Sequence, residues 1–163
     1  PPPPQPSRVV VTASPRPAPP RPNASPEPAR SPAPLTDAEI FARTSLADLN
    51  ARQPLEDTFF EYDQAELSES ARTPLARDAA WMRKWTGTQV RVEGHADDRG
   101  TNEYNLALGE RRAAVTRDYL VSLGIDRSRI ATVSKGEEAP FCAEPSDACW
   151  RLNRRGHFTI TAK

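Results

Sequence analysis

The chain has 163 residues and a formal net charge of zero, with 22 basic and 22 acidic side chains. This length suits one ordinary domain with a tail, and no run of apolar residues is long enough to cross a bilayer. The basic residues do not cluster at the density typical of nucleic-acid-binding proteins, so we expect no nucleic-acid partner.

The first part of the chain is rich in proline. Residues 1–34 hold 14 of the 18 prolines and few apolar residues apart from the valines at 9–11. Such a segment cannot bury enough surface to offset the entropy lost on ordering it, so we predict a disordered, proline-rich linker over 1–34. Residues 35–163 are then expected to form one domain, with a net charge near −3 because the linker is basic.

The domain is expected to begin with a helix and a strand. Thr36 and Glu39 have the spacing of a capping box, which predicts a helix over Thr36–Asn50. The apolar residues of this segment recur at near-helical intervals, at Ile40, Phe41, Leu46 and Leu49. The aromatic and β-branched residues of Leu55–Tyr62 predict a short strand.

A second helix and a second strand follow. Ser68–Trp85 contains no glycine and begins with a candidate cap, which predicts a helix despite Pro74 near its first turns. The alternation of Gln89–Glu93 predicts a half-buried strand. Gly94–Thr101 is polar and flanked by glycines, so we predict a loop there.

Glu103–Leu123 has the longest helical pattern in the chain, and Gly124 stands where a left-handed cap is expected. Ile130–Ser134 and Gly156–Ile160 are two further candidate strands. This order of elements predicts an α/β fold, a sandwich in which helices pack on a small mixed sheet of four strands.

One side of the long helix carries an arginine within an apolar stripe. Arg112 lies near the middle of this stripe, whose other members are Tyr104, Leu108, Val115, Tyr119 and Leu123. A guanidinium is seldom buried without an acceptor, because losing its hydration is costly. Two interpretations remain open: an anion-binding arginine that lines a pocket, or an internal ion pair with Asp97, Asp98 or Glu93.

The loop before this helix joins a strand end to a helix start, where α/β folds commonly place ligands. It carries Asp97, a residue type that also serves as a cap or turn former. Together, Asp97 and Arg112 could offer one negative and one positive partner to a zwitterionic ligand.

The sequence of this loop and helix is specific enough to indicate a family. VEGHADDRGTNEYNLALGERRAA, at 92–114, resembles the signature segment of the peptidoglycan-associated lipoproteins (Pal), a family with OmpA-like peptidoglycan-binding domains. The similarity continues through FFEYD at 59–63, VSKGEEAP at 133–140 and the Asn-Arg-Arg sequence at 153–155. It covers about 36–162 and leaves only the proline-rich segment outside.

The resemblance implies the roles of individual residues. Asp97 would hold the amine, and Arg112 the carboxylate, of the diaminopimelate residue in the peptidoglycan stem peptide. Asp63 and Asn105 match family positions that line the same pocket. The family motif also contains Arg154 and Arg155, which are further candidates for contact with the ligand or structural arginines. Lys135 departs from the family pattern, which has an aromatic residue there.

The resemblance also implies partners and location. We expect non-covalent binding of peptidoglycan, Tol proteins such as TolB as partners, and a periplasmic lipoprotein that tethers the outer membrane to the cell wall as part of the Tol-Pal system. The N-terminal lipid anchor is not present in this sequence. No cofactor and no enzymatic activity are implied. A related alternative is the periplasmic domain of an outer-membrane barrel or of a flagellar stator protein.

Cys142 and Cys149 are separated by a short, polar, loop-like stretch. A disulfide in an oxidising compartment is the favoured interpretation, and a pair of free thiols is the alternative. The cysteine loop is not a general family feature, and it lies outside the proposed pocket motif in the sequence.

A hydrolase is the alternative from another functional class. A metal-dependent enzyme would use His95, Asp97 and His157. A catalytic zinc usually has three protein ligands, whereas these two histidines are far apart in the sequence. No G-x-S-x-G nucleophile motif occurs.

Overall fold

A computed structural model describes residues 1–10, 12–23 and 31–163. The chain divides into two units, Pro1–Thr36 and Asp37–Lys163. The described residues of the first unit are exposed and contain neither helix nor strand. The predicted linker includes Val11 and residues 24–30, which lie outside the described residues, and its disorder stays a prediction. None of the described helices has the length and apolar character needed to span a bilayer.

The second unit contains five α-helices, one 3₁₀ helix and four strands among its described residues. In chain order they are α1 Asp37–Arg43, α2 Leu46–Arg52, β1 Thr58–Phe59, α3 Glu69–Lys84, β2 Gln89–His95, α4 Asn102–Ser122, the 3₁₀ turn Arg127–Arg129, β3 Ile130–Gly136, α5 Asp147–Asn153 and β4 Arg155–Ala162.

The strands form one mixed sheet in the order β1-β4-β2-β3. β2 and β3 are parallel, whereas β4 is antiparallel to both β2 and β1. The predicted α/β fold with a mixed four-stranded sheet is confirmed. The strand predicted over Leu55–Tyr62 is too long, because β1 is an edge strand whose ladder with β4 covers only Thr58 and Phe59.

The single helix predicted over Thr36–Asn50 is wrong, because the structure divides it into α1 and α2. Two side chains account for the break. The Thr44 hydroxyl donates to the carbonyl of Ile40, and the Ser45 hydroxyl accepts from the backbone N–H of Asp48 to cap α2. Hydroxyl groups that bond nearby backbone favour helix ends over helix interiors.

The hydrophobic core lies between α3, α4 and the sheet. Leu75 and Met82 come from α3, Val92 from β2, Leu120 from α4 and Ile160 from β4, and all five are buried. Each side chain of this size contributes roughly 1.5–3 kcal/mol when it leaves water. The core therefore holds α4 against β2, the strand that ends at the loop before α4.

β2 extends to His95, so the prediction that Gly94 and His95 belong to a loop is wrong. The cause is the close approach of α4 to the sheet. A Cβ atom on Gly94 would lie 1.6 Å from the carbonyl oxygen of Gly109, and one on Gly109 would lie 2.6 Å from that of Gly94. Two glycines therefore face each other where strand and helix backbones nearly touch.

The buried face of α4 differs from the predicted stripe. Its buried residues are Asn105, Leu108, Gly109, Arg112, Ala113, Thr116 and Leu120. Tyr104 is 44% exposed. Small residues such as Gly109 and Ala113 share the buried face with Leu108 and Leu120, whereas Tyr119 and Leu123 of the predicted stripe are only partly buried.

The end of α4 has the expected glycine. Gly124 has a φ of 98°, which confirms the predicted left-handed cap. The N–H of Ile125 bonds to the carbonyl of Leu120, and the N–H of Gly124 bonds to that of Val121, as in a Schellman motif. Ile125 is buried, so this cap also directs the chain into the core.

The segment between β3 and β4 was expected to be a loop, but it contains α5. Ser146 caps this helix by accepting from the backbone N–H of Cys149. Cys142 and Cys149 form a disulfide, with 5.4 Å between their Cα atoms. The helix was missed because it is short and most of its residues are exposed, so no apolar period marks it.

Substitution of Gly94 tests the close approach of α4. Gly94→Ala should destabilise the domain by at least about 2–3 kcal/mol, because two backbones would have to separate. Gly87→Ala is the matched control, since its added Cβ would meet only one atom, at 3.8 Å. Equilibrium unfolding in urea measures both. Equal stability of the two variants would contradict the packing described here.

Asp78 should make stability depend on pH. Burial, reinforced by the charges of Glu56 and Asp57, raises the pKa of Asp78 to about 7, although it accepts a hydrogen bond from the Glu56 N–H. A raised pKa in the folded state favours the protonated form. The stabilisation from Asp78 is therefore complete below about pH 4 and is lost as the pH rises through 7, by up to about 4 kcal/mol.

Urea unfolding at pH 4.5 and pH 8 measures this effect. Asp78→Asn should reduce the difference in stability between the two pH values, whereas Asp118→Asn at an exposed position should preserve it. Comparison of the variants removes the contribution of other titrating groups. A pH dependence that is unchanged in Asp78→Asn would disprove the assignment.

Candidate functional site

A cavity of about 170 Å³ lies where β2 ends and α4 begins. Its walls come from the segment after β1, the loop between β2 and α4, and the first turns of α4. The lining residues are Tyr62, Asp63, Asp97, Arg99, Gly100, Tyr104, Asn105, Leu108 and Arg112. The structure thus brings together Asp63, Asp97, Asn105 and Arg112, which are far apart in the sequence.

Arg112 is fully buried, and its partners are backbone carbonyls. Its Nε donates to Gln64 at 2.8 Å, Nη1 to His95 at 2.8 Å and Nη2 to Glu61 at 3.0 Å. The interpretation as an ion pair with Asp97, Asp98 or Glu93 is therefore wrong. These carbonyls come from the segment after β1 and from the end of β2, which pack around the guanidinium. They accept its hydrogen bonds, so the group needs no bonded carboxylate.

The charge of Arg112 is retained despite burial. Burial, together with the nearby charge of Arg154, lowers the pKa of Arg112 to about 10, so the group stays protonated at neutral pH. A guanidinium has five N–H donors, and within the part of the chain that the structure describes three of them bond to backbone carbonyls. The cavity wall therefore has a fixed positive charge with donors to spare.

Asp97 is also buried, and it is the acceptor of two arginines. Nη2 and Nε of Arg99 lie 2.7 and 3.2 Å from its two carboxylate oxygens, and Nη1 of Arg154 lies 3.3 Å from Oδ2. Burial acts to raise the pKa of Asp97, but the hydrogen bonds from Arg99 and Arg154 lower it overall. Asp97 is thus a carboxylate at neutral pH.

Asn105 and Asp63 shape the cavity in different ways. The amide of Asn105 donates to the carbonyls of Asp97 at 3.2 Å and Arg99 at 3.1 Å, which ties the loop to α4. Asp63 has a φ of 56°, a left-handed conformation that aspartate tolerates better than most residues. Its carboxylate accepts a hydrogen bond from the hydroxyl of Tyr104.

The sequence analysis missed the role of Arg99 at the cavity wall. Its guanidinium lies between two rings, 4.0 Å from the centroid of Tyr62 and 4.2 Å from that of Trp150. The stacking on Trp150 had no signal in the sequence, because the two residues are far apart along the chain. No residue of the cysteine loop lines the cavity, as expected, but Trp150, which follows Cys149 in α5, contacts the cavity residue Arg99.

Arg154 and Arg155 have different environments. Arg154 is buried, donates to the carbonyl of Phe60 at 2.8 Å and bonds to Asp97, so it supports the cavity from behind without lining it. Arg155 bonds to Asp57 at 2.7 Å and stacks on Phe141 at 3.7 Å, outside the cavity lining. Contact of either with a ligand stays a prediction.

The histidines of the hydrolase alternative both contact Phe141 and have different carboxylate partners. His95 is buried against the ring of Phe141, at 4.9 Å between centroids, and lies 3.4 Å from a carboxylate oxygen of Glu93. His157 bonds to Asp57 at 2.9 Å. Within 1–10, 12–23 and 31–163, no three His, Cys, Asp or Glu side chains are grouped as metal ligands would be.

Comparison with known proteins gives consistent results. The model of the OmpA family matches residues 59–154. The peptidoglycan-associated lipoprotein of Mesorhizobium japonicum is 48% identical over 103 residues, covering 63% of this chain and 61% of that protein. The one from Pseudomonas aeruginosa is 40% identical over 111 residues, covering 68% and 66%. The chain thus spans about six tenths of the length of the first of these relatives.

Solved structures are also similar. The crystal structure of the peptidoglycan-associated lipoprotein from Burkholderia pseudomallei has a TM-score of 0.60 and 30% identity, covering 66% of this chain and 89% of that one. The C-terminal domain of Helicobacter pylori MotB has a TM-score of 0.62 at 18% identity, covering 66% and 85%. The second similarity supports the fold alone.

Substitution of Arg112 tests its structural role. Arg112→Met should cost at least about 3 kcal/mol of stability, because it leaves three carbonyls of two separate segments without their donor. Arg111→Met is the matched control at the preceding position, where the side chain is exposed, and should change stability by less than about 0.5 kcal/mol. Urea unfolding measures both. Similar stability of the two variants would mean that the carbonyl bonds contribute little.

Proposed function

The chain belongs to the OmpA family, and from this premise we propose that Asp37–Lys163 binds peptidoglycan non-covalently. The observation that carries the proposal is the cavity lined by both Asp97 and Arg112. The names of the relatives, peptidoglycan-associated lipoproteins, support the same ligand. The recognition of this family from the sequence is confirmed.

The chemistry of the cavity suits diaminopimelate of the stem peptide. The side chain of this residue ends in an amine and a carboxylate. Asp97 carries a negative charge for the amine, and Arg112 carries a fixed positive charge for the carboxylate. Asp63 offers a second carboxylate at the rim, and Asn105 holds the loop that presents Asp97. Charge-assisted hydrogen bonds of this kind are about twice as strong as neutral ones.

The amine would have to share Asp97 with arginines. Both carboxylate oxygens already accept hydrogen bonds from Arg99 or Arg154. Arg99 is the more exposed of the two, with 32% of its side chain accessible, whereas Arg154 is buried. We therefore expect the amine to replace hydrogen bonds from Arg99 to Asp97 and to leave the bond from Arg154 intact.

The location follows from the same proposal. As a Pal-like lipoprotein, the protein would lie in the periplasm, anchored to the outer membrane, with Tol proteins such as TolB as partners. The proline-rich residues 1–34 would act as a tether. An extended polyproline segment gives about 3.1 Å per residue, or roughly 100 Å in all, which lets the domain reach the cell wall from a membrane.

Ligand specificity tests the proposed pocket. Lysine, which replaces diaminopimelate in other cell walls, has the amine but lacks the carboxylate. A stem peptide with lysine should bind at least roughly tenfold more weakly, because the positive charge of Arg112 would remain unpaired. Calorimetric titration of the wild-type protein with the two peptides measures the difference. Equal affinity for both would refute the proposed role of Arg112.

Three variants separate the two charges. Asp97→Asn should weaken binding of both peptides, because both contain the amine. Arg112→Ala should lower the affinity for the diaminopimelate peptide towards that of the lysine peptide, at a temperature where circular dichroism shows a folded domain. Asp118→Asn, on the exposed side of α4, should bind like the wild type.

A further inference from the structure

Arg99 has a donor that its internal contacts do not use. Nε and Nη2 bond to Asp97, whereas Nη1 makes no hydrogen bond in the part of the chain that the structure describes. The guanidinium lines the cavity, and about a third of the side chain is accessible. Nη1 of Arg99 is therefore available to a carboxylate that enters beside Arg112.

The rings of Tyr62 and Trp150 restrict where this guanidinium can lie. The guanidinium carbon lies over both rings, 4.0 Å from the centroid of Tyr62 and 4.2 Å from that of Trp150. A guanidinium held between aromatic faces loses little further freedom when a ligand binds, so its contribution to affinity increases. Tyr62 belongs to the cavity wall, whereas Trp150 comes from α5 outside it.

Trp150 is fixed by contacts that converge on a short segment. Its Nε1 donates to a carboxylate oxygen of Asp98 at 2.8 Å. The preceding residue, Cys149, is buried and bridged to Cys142. The Asn153 side chain accepts from the N–H of Cys142 at 3.0 Å and donates to its carbonyl at 2.8 Å.

The bridge matters because α5 is too short to be stable alone. It has seven residues, and only Cys149 and Asn153 are buried. Helices of this length do not persist in water without tertiary contacts. The disulfide and the bonds of Asn153 both join α5 to the chain at Cys142, and together with the Trp150–Asp98 hydrogen bond they keep Trp150 against Arg99.

We propose that Trp150, held by the disulfide-closed segment 142–150, is a positioning residue for ligand binding. It keeps Arg99 at the cavity wall, where Nη1 binds the same carboxylate as Arg112. This inference rests on the proposed function. It adds a second cation to the pocket and makes the preference for diaminopimelate depend on the Cys142–Cys149 bridge.

Titration of the diaminopimelate and lysine peptides into four variants tests this inference. Trp150→Leu removes the stacking, Trp150→Phe keeps an aromatic face, and the double variant Cys142→Ser/Cys149→Ser removes the bridge. Leu152→Ala, on the same helix but outside the pocket, is the matched control. Thermal unfolding of every variant is recorded, so that affinities are compared only between folded proteins.

We expect a loss that is selective for the diaminopimelate peptide. Trp150→Leu and the double serine variant should bind it about three- to tenfold more weakly, with little change for the lysine peptide, so the ratio of the two affinities falls. Trp150→Phe should keep most of the ratio, and Leu152→Ala should keep all of it. A purely structural role would leave the ratio unchanged.

Nuclear magnetic resonance of the Arg99 Nε–H gives a second readout without a peptide. The two rings should displace its resonance from the ordinary arginine position in the wild-type protein, and the displacement should shrink in the double serine variant. A resonance at the same position in both proteins would overturn the inference, as would an unchanged affinity ratio in Trp150→Leu or an equal loss for both peptides. A wild-type protein that does not distinguish the peptides would overturn the proposed function as well.

Discussion

The buried guanidinium of Arg112 joins three separate parts of the domain. Its donors reach Glu61 and Gln64 in the segment after β1 and His95 at the end of β2, while its own backbone belongs to α4. Removing a charge from water costs several kcal/mol, and charge-assisted bonds to three carbonyls offset this cost. The same bonds place the segment that carries Tyr62 and Asp63 beside the loop that carries Asp97. The cavity exists because these segments meet around one arginine.

This arrangement requires α4 to lie close to the sheet. Gly94 and Gly109 allow the two backbones to approach, and larger residues at either position would push the helix outward. At that distance Arg112 reaches the carbonyl of His95, and Asn105 reaches the carbonyls of Asp97 and Arg99. Gly94 and Gly109 thus determine where the charged and polar side chains around the cavity lie.

Local patterns in the sequence predicted much of the fold. α3 has a Ser68 cap and no glycine, α4 lies in a long helical segment closed by Gly124, and the alternation of β2 marks a half-buried strand. These features are encoded within short stretches, so a single sequence reveals them. The break before Ser45 and the short α5 were missed, because the first depends on side-chain bonds to backbone and the second is mostly exposed and has no apolar period.

The candidate site was predictable in its composition but not in its contacts. Family resemblance brought Asp97 and Arg112 into one pocket, as the structure has them. It did not reveal that carbonyls satisfy Arg112 or that Arg99 and Arg154 share Asp97. Those pairings depend on packing between segments up to 57 residues apart, for which no local pattern exists.

The internal pairing of Asp97 bears on how a charged ligand can enter. A buried carboxylate without a partner would be costly, so Asp97 needs a cation whether or not ligand is bound. Arg154 supplies one permanently from the buried side of Asp97, and Arg99 supplies another from the accessible side. On the proposed function, an incoming amine would replace the Arg99 cation at Asp97, and the guanidinium would stay beside Tyr62 and Trp150, next to the ligand's carboxylate. On the proposed function, the pocket thereby exchanges one set of ion pairs for an equivalent set, which keeps the cost of desolvating a zwitterion low.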